Sequence, residues 1–206
     1  MGYYTGKLIG QFEIQTLLPS TYQQVEYIES TGTQFVNTGI VANAGTRWEI
    51  KYAYTNTYNQ AQNGASGQVG VINSSRFIFA SLNNSLYMAI GISFNWSKPL
   101  DFNPHIYILD KPNNKTWIDS ESITVSNSFT SSVEKLYIFN RNTISGDNYK
   151  HNGKCYYSKI YNNNVLIQHL IPCYRKSDAV IGMYDIINNT FIINIGTGTF
   201  LKGSNL

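Results

Sequence analysis

From residue 48 the chain reads Trp48-Glu49-Ile50-Lys51-Tyr52-Ala53-Tyr54, with large apolar side chains at every second position and Glu49, Lys51 and small Ala53 between them. Successive side chains of a strand point to opposite faces, so this spacing describes a strand with one packed face and one wet face. The same two-residue period recurs along most of the chain. Residues 8–16 repeat it, with Leu8, Phe12 and Ile14 set against Gln11, Glu13 and Gln15. Residues 25–30, 34–39, 76–82, 86–94 and 105–111 are further strand candidates. No stretch sustains the i, i+3, i+4 apolar spacing of a helix, so one or two helical turns at most are expected.

Several candidates pair into hairpins. Residues 106–111 return as 115–120 around Pro112-Asn113-Asn114, and 181–187 return as 190–195 around Asn188-Asn189. Residues 155–161 return as 165–174 around Asn162-Asn163-Asn164, with Tyr161 expected opposite Val165. Asparagine tolerates positive φ, which tight hairpin turns demand. Turn signals repeating about every 8–12 residues along a whole chain indicate a β-sandwich or barrel.

Composition narrows the choice. The 206 residues suit one good-sized domain, and a domain of that size needs no disulfide or metal staple. Charged residues make up 13% and aromatics 14%, including 16 Tyr. That excludes a disordered chain and equally a coiled coil or helical bundle. Asparagine is over-used, at some two dozen. A low-GC genome would inflate Asn, Ile, Lys and Tyr together, but it would not place Asn in the turns.

The net charge of +3 is spread thinly, and the densest basic cluster is Tyr174-Arg175-Lys176. A nucleic-acid partner is not expected, because such proteins carry a basic stripe. No apolar run approaches the roughly 18 residues of a membrane span, so no membrane partner is expected. Cys155 and Cys173 are the only cysteines. With Tyr161 opposite Val165, Cys155 faces Ile171 and Cys173 lies diagonally beyond, roughly 7–8 Å away, too far for a comfortable disulfide. Two free, buried thiols are expected.

Two blocks are more specific than composition. The first is Leu18-Pro19-Ser20-Thr21-Tyr22-Gln23-Gln24-Val25-Glu26-Tyr27-Ile28-Glu29-Ser30-Thr31-Gly32-Thr33-Gln34-Phe35-Val36-Asn37-Thr38-Gly39-Ile40. The second contains Leu170-Ile171-Pro172-Cys173-Tyr174-Arg175-Lys176-Ser177-Asp178, then Val180-Ile181-Gly182-Met183-Tyr184-Asp185 and Asn194-Ile195-Gly196-Thr197-Gly198-Thr199-Phe200. Together they resemble the laminin-G-like, concanavalin A-like jelly-roll modules of the lectin-glucanase class, found in phage virion proteins and in surface proteins of gut bacteria. The resemblance spans roughly residues 18–203. It implies an all-β, two-sheet antiparallel jelly-roll sandwich whose first and last strands are neighbours. The echo of Thr31-Gly32-Thr33 in Thr197-Gly198-Thr199 fits two adjacent turns. Asp185 stands where a buried carboxylate could cap loop amides. Residues 18–206 would form the jelly roll, and 1–17 either an attachment arm or an edge strand.

The family includes glucanases, so hydrolysis is the first chemistry to weigh. Glycosidases use two carboxylates about 5–9.5 Å apart, and the glucanase string Glu-x-Asp-x-x-Glu is absent. The nearest approach, Asp119-Ser120-Glu121, reads as a solvated strand end. His105, His151 and His169 show no metal-ligand spacing, and no Gly-x-Ser-x-Gly elbow occurs. No catalytic residues and no resident metal or cofactor are therefore expected, although modules of this kind often hold calcium, for which Asp110 or Asp119 could supply oxygens. A sugar site wants a flat ring beside amides. Trp96 with Asn95, and Tyr58 with Asn59, form such pairs in loops, where they either build a glycan platform or plug the sandwich ends. Trp48 belongs to the core by its alternation, and Trp117 could face either way.

The function expected from this resemblance is a non-enzymatic phage virion module, attached to tail or capsid and homo-oligomeric, that recognises host-surface glycan beside other virion proteins. The alternatives are a purely structural decoration or head-fibre protein that binds no sugar, and a bacterial carbohydrate-binding module. The start, Met1-Gly2-Tyr3-Tyr4-Thr5-Gly6-Lys7, lacks the pattern of a secretory signal, which fits assembly in the bacterial host cytoplasm. If 1–17 is an attachment arm, a chain trimmed to 18–206 becomes monomeric by light scattering. An unchanged oligomer mass contradicts the arm.

Overall fold

The computed structural model describes residues 18–57, 60–66, 76–91, 98–125, 128–143 and 149–206. The strand candidate at 8–16 lies outside them. In chain order the strands are β1 (Tyr22–Gln24), β2 (Ile28–Thr31), β3 (Val36–Asn43), β4 (Thr46–Tyr54), β5 (Gln60–Ser66) and β6 (Phe77–Leu82). They continue as β7 (Ser85–Ile90), β8 (Lys98–Pro99), β9 (His105–Asp110), β10 (Lys115–Ile118), β11 (Glu121–Thr124) and β12 (Ser131–Ile138). The last are β13 (Arg141–Thr143), β14 (Asn152–Asn162), β15 (Val165–Arg175), β16 (Ile181–Asp185), β17 (Thr190–Ile193) and β18 (Leu201–Lys202). No helix occurs among the described residues.

Two sheets pack face to face as an all-β jelly-roll sandwich. The eleven-stranded sheet runs β11-β10-β9-β4-β14-β15-β16-β17, with β1 beside β15, β2 beside β14 and β18 beside β2. The seven-stranded sheet runs β3-β12-β5-β6-β7-β8, with β13 beside β5. Pairing is antiparallel except between β13 and β5. The chain changes sheet between β2 and β3, β3 and β4, β4 and β5, β8 and β9, β11 and β12, and β13 and β14.

The alternation at 48–54 becomes the middle of the larger sheet. Trp48, Ile50, Tyr52 and Tyr54 are fully buried, while Glu49 and Lys51 stay on the outer face. Opposite them lie Phe77 and Phe79 of β6 and Leu136 and Ile138 of β12, in one continuous core. Trp48 meets Phe79 edge-on at 5.4 Å, and its indole N–H donates to the Ser158 hydroxyl at 2.8 Å. Deleting a buried ring of this kind costs about 3–5 kcal/mol.

The turns account for much of the asparagine excess. Of nine described non-glycine residues at positive φ, six are Asn: 83, 84, 114, 163, 164 and 189. Asn83-Asn84 and Asn163-Asn164 each form a two-residue hairpin loop with both residues in the left-handed region. That loop type matches the twist of the flanking strands and requires positive φ twice.

The second of these loops corrects the expected register. Asn162, not Tyr161, closes the β14–β15 hairpin opposite Val165, and a bulge between Ile160 and Tyr161 then sets Ser158 opposite Leu170. Continued, that register would bring Cys155 opposite Cys173. Instead the hairpin forks. Cys155 pairs with Ile28 of β2, and Cys173 pairs with Gln24 of β1. Cys155 lies in the main core, whereas Cys173 lies in a second cluster with Leu18, Ile171 and Tyr184. Both thiols are free and buried. The expected strand at 25–30 is accordingly broken at Glu26–Tyr27, between β1 and β2.

The first and last strands of the described residues meet in this fork. β18 pairs with β2, and Asn205 bridges Val25. The two Thr-Gly-Thr turns are adjacent: the Thr197 N–H donates to the Thr33 carbonyl at 3.2 Å, and the Thr33 hydroxyl donates to the Thr197 carbonyl at 2.9 Å. Gly32 and Gly198 sit at φ +104° and +73°, which is why glycine stands at both turn centres.

A polar network is buried inside the core. The His151 Nδ1–H donates to the Tyr149 carbonyl at 2.9 Å, which leaves Nε2 to accept from the Tyr52 hydroxyl at 2.8 Å and the Asn63 amide at 3.2 Å. The Asn63 carbonyl accepts from the Phe139 N–H. Complete burial lowers the His151 pKa to about 4, partly offset by the bond to Tyr149. A neutral buried histidine binds its proton more readily in the unfolded chain. Its contribution is therefore complete above the ordinary value of 6.5 and is lost as pH falls toward 4, about 3 kcal/mol in all. Urea unfolding from pH 7 to pH 4.5 should show this loss, with NMR finding His151 neutral until about pH 4. Titration of His151 near 6.5 contradicts it.

Candidate functional site

The four residues expected to hold a sugar, Trp96, Tyr58, Asn95 and Asn59, lie outside the described residues. Trp48 is core, as its alternation implied. Trp117 faces outward between buried Thr116 and Ile118, with the Lys115 ammonium 5.4 Å over its ring. It belongs to an outer face on which cations cover the tyrosines. Arg47 lies 4.9 Å over Tyr161, Lys51 lies 5.1 Å over Tyr156, and Lys154 lies 4.4 Å over Tyr27. Glu49 is held in their midst by Arg47 at 2.7 Å and by the Tyr157 hydroxyl at 3.2 Å. Such rings offer little bare surface for stacking on a sugar.

The carboxylates weighed for hydrolysis are bound elsewhere. Asp119 and Ser120 form the tight turn between β10 and β11, with Asp119 at φ +53°. Its carboxylate accepts from His105 Nδ1 at 2.7 Å and from the Ile106 N–H at 2.9 Å. Glu121 is paired with Lys98 at 2.7 Å. Asp110, near the far end of the β9–β10 hairpin from Asp119, accepts from the Asn113 N–H and side-chain amide at 3.1 and 2.9 Å. The two aspartates that could have supplied calcium oxygens are thus apart. No group of three or more His, Cys, Asp or Glu suited to a metal occurs among the described residues. His169 is half-buried, and burial together with nearby Lys159 lowers its pKa.

Asp185 is 1% exposed and does what a loop cap requires. Its Oδ1 accepts from the N–H groups of His169, Ile187 and Asn188 at 3.2, 3.0 and 3.4 Å, and its Oδ2 from the Asn188 side chain at 2.7 Å. No edge of it is left for a substrate.

An open concavity among the described residues lies beside the paired Thr-Gly-Thr turns. It holds about 350 Å³, within the range of small-ligand sites. The turn from β15 to β16 supplies Asp178, Ala179 and Val180 as one wall, and the return segment from Asn194 to Phe200 supplies the other. Ile181 and Phe200 line it from the core side, and Ile193 stands at the mouth with 46% of its surface exposed. Both walls are braced. Asn194 accepts from the Phe35 and Gly196 N–H groups at 3.0 and 2.7 Å and donates to the Gly198 carbonyl at 2.9 Å. The Arg175 guanidinium donates to Asp178 at 2.6 Å and holds its carboxyl below the usual carboxylate range. Ala179 sits at φ +56°, a conformation alanine adopts only at a cost of about 1–2 kcal/mol.

This cavity joins apolar walls to a rim of one carboxylate, one amide, the Thr199 hydroxyl and loop backbone. The sequence had placed all its lining residues but Ala179 and Ile193 in the second block as a signature of fold. The signals that could have marked it are an apolar Ile193 facing outward at a sheet edge and an alanine where a turn favours glycine.

Comparison of the chain with protein-family models and with curated proteins found no match.

Replacing Asp185 with Ala strands its loop amides without an acceptor and should cost about 3 kcal/mol, read as a lower urea midpoint. A loss under about 1 kcal/mol contradicts the capping role.

Proposed function

We propose that this chain is a non-enzymatic, lectin-like module of a phage virion, attached to tail or capsid, and that it holds a host-surface glycan in the cavity between residues 178–181 and 193–200. The observation that carries the binding reading is the braced concavity itself, whose two walls are fixed by Asn194 and by the Arg175–Asp178 pair. Its apolar lining suits a sugar bearing a methyl or acetyl substituent, with hydroxyls meeting the rim. The hydrolase reading loses support because Asp119 and Glu121 are engaged by His105 and Lys98. The virion placement rests on the resemblance of residues 18–40 and 170–200 to virion jelly rolls.

A glycan array with the intact protein tests the reading. A consistent set of glycans should bind, and Ile193→Lys and Thr199→Trp should each weaken binding about tenfold or more with an unchanged melting temperature. Both positions are exposed, so the fold tolerates the changes. Binding that survives both variants but disappears in Trp96→Ala moves the site to residues 92–97 and overturns the cavity assignment. A blank array overturns glycan recognition and favours the structural decoration protein.

A further inference from the structure

Where β8 of the smaller sheet meets β11 of the larger, the sandwich is tied by charge. Lys98 of β8 reaches Glu121 of β11 at 2.7 Å. Residues 100–104 then cross from one sheet to the other, and His105 begins β9. Its ring stands between two carboxylates: Nε2 lies 2.8 Å from Oδ1 of Asp101 on the crossover, and Nδ1 lies 2.7 Å from Oδ2 of Asp119 in the β10–β11 turn. A carboxylate accepts and does not donate, so both contacts are hydrogen bonds only when both ring nitrogens carry protons.

We infer that Asp101, His105 and Asp119 form a pH-dependent latch that holds the crossover between the sheets, closed while the imidazole is cationic and released when it loses a proton. The geometry also decides which side lets go. Asp119 is anchored a second time by the Ile106 N–H at 2.9 Å, so neutral His105 keeps its Nδ1–H on Asp119 and turns a lone pair toward Asp101. Asp101 is 48% exposed, and beyond the ring it accepts from the N–H of Asn103, on the crossover itself. The crossover therefore detaches and the β10–β11 turn stays.

The surrounding groups support the sign. Burial alone would lower the His105 pKa, but the hydrogen bonds and charges of Asp119 and Asp101 outweigh it and raise the value above 6.5. Both aspartates are held below their ordinary 3.8, because bonds to backbone N–H groups and to His105 outweigh burial. From β8 and β11 the charged neighbours are Lys98 and Glu121, already paired to each other. On β9 itself, and on β4 where Tyr52 pairs with His105, the phenols of Tyr107 and Tyr52 are kept neutral by burial, which raises both. The latch contributes fully below pH 6.5 and is lost as pH rises through the raised value.

The test combines NMR titration of the histidine ring with chymotryptic cleavage after Phe102, which is 54% exposed on the crossover. Wild type should titrate above 6.5, and Asp101→Asn should titrate lower. At each pH the two proteins are cut side by side, which cancels the pH response of the protease. The variant should be cut several-fold faster below the wild-type titration and equally fast above it. Titration of wild-type His105 at or below 6.5, or a cleavage ratio that stays constant across the titration, overturns the latch.

Discussion

The fork in the β14–β15 hairpin organises the larger sheet. The two strands pair tightly near their loop, from Ser158 and Leu170 to Asn162 and Val165, and then part. The backbone groups they leave open need partners, since an unpaired buried amide or carbonyl costs about as much as a lost hydrogen bond. β2 satisfies Asn152 to Cys155, and β1 satisfies Cys173 to Arg175. The C-terminal strand then pairs with β2. One divergence thus draws both ends of the described chain into a single sheet, and it holds two cysteines apart that a continuous hairpin would have placed face to face.

The candidate site inherits its rigidity from that closure. Its outer wall, 194–200, is the segment that carries the chain from β17 back to the fork, and it is pinned by the paired Thr-Gly-Thr turns and by Asn194. Its inner wall is the short turn leaving β15, pinned by Arg175 and Asp178. A cavity between two braced turns is preorganised, so little ordering cost attends binding. Other charged groups among the described residues serve different ends. On the outer face they lie over tyrosine rings and keep the sheet wet, and at the β8–β11 seam they take the place of backbone pairing between the sheets.

Sequence reasoning reached the features that are local. The β4 alternation, the left-handed asparagine loops and the loop-capping carboxylate at Asp185 each follow from a few adjacent residues, and each is present. The adjacency of the Thr-Gly-Thr turns was legible because two short strings matched. The fork was not, because it depends on a bulge at Ile160–Tyr161 and on strands more than a hundred residues away. β5, β11, β12 and β13 were passed over; β11 and β13, at four and three residues, are too short to show a usable period. The cavity was invisible for a related reason: its walls are separate turns, brought together only by the pairing of β16 and β17. The aromatic residues expected to hold a sugar fall outside the described residues, and the cavity is a second proposed location beside them.

Binding without catalysis at the 178–200 cavity is the central claim. Its most direct measurement is ¹⁵N chemical-shift mapping of the intact protein during titration with a glycan it binds. The account predicts that the largest shifts cluster at 178–181 and 193–200 and that the glycan is recovered unchanged. Shifts centred anywhere else, or cleavage of the glycan during the titration, would contradict it.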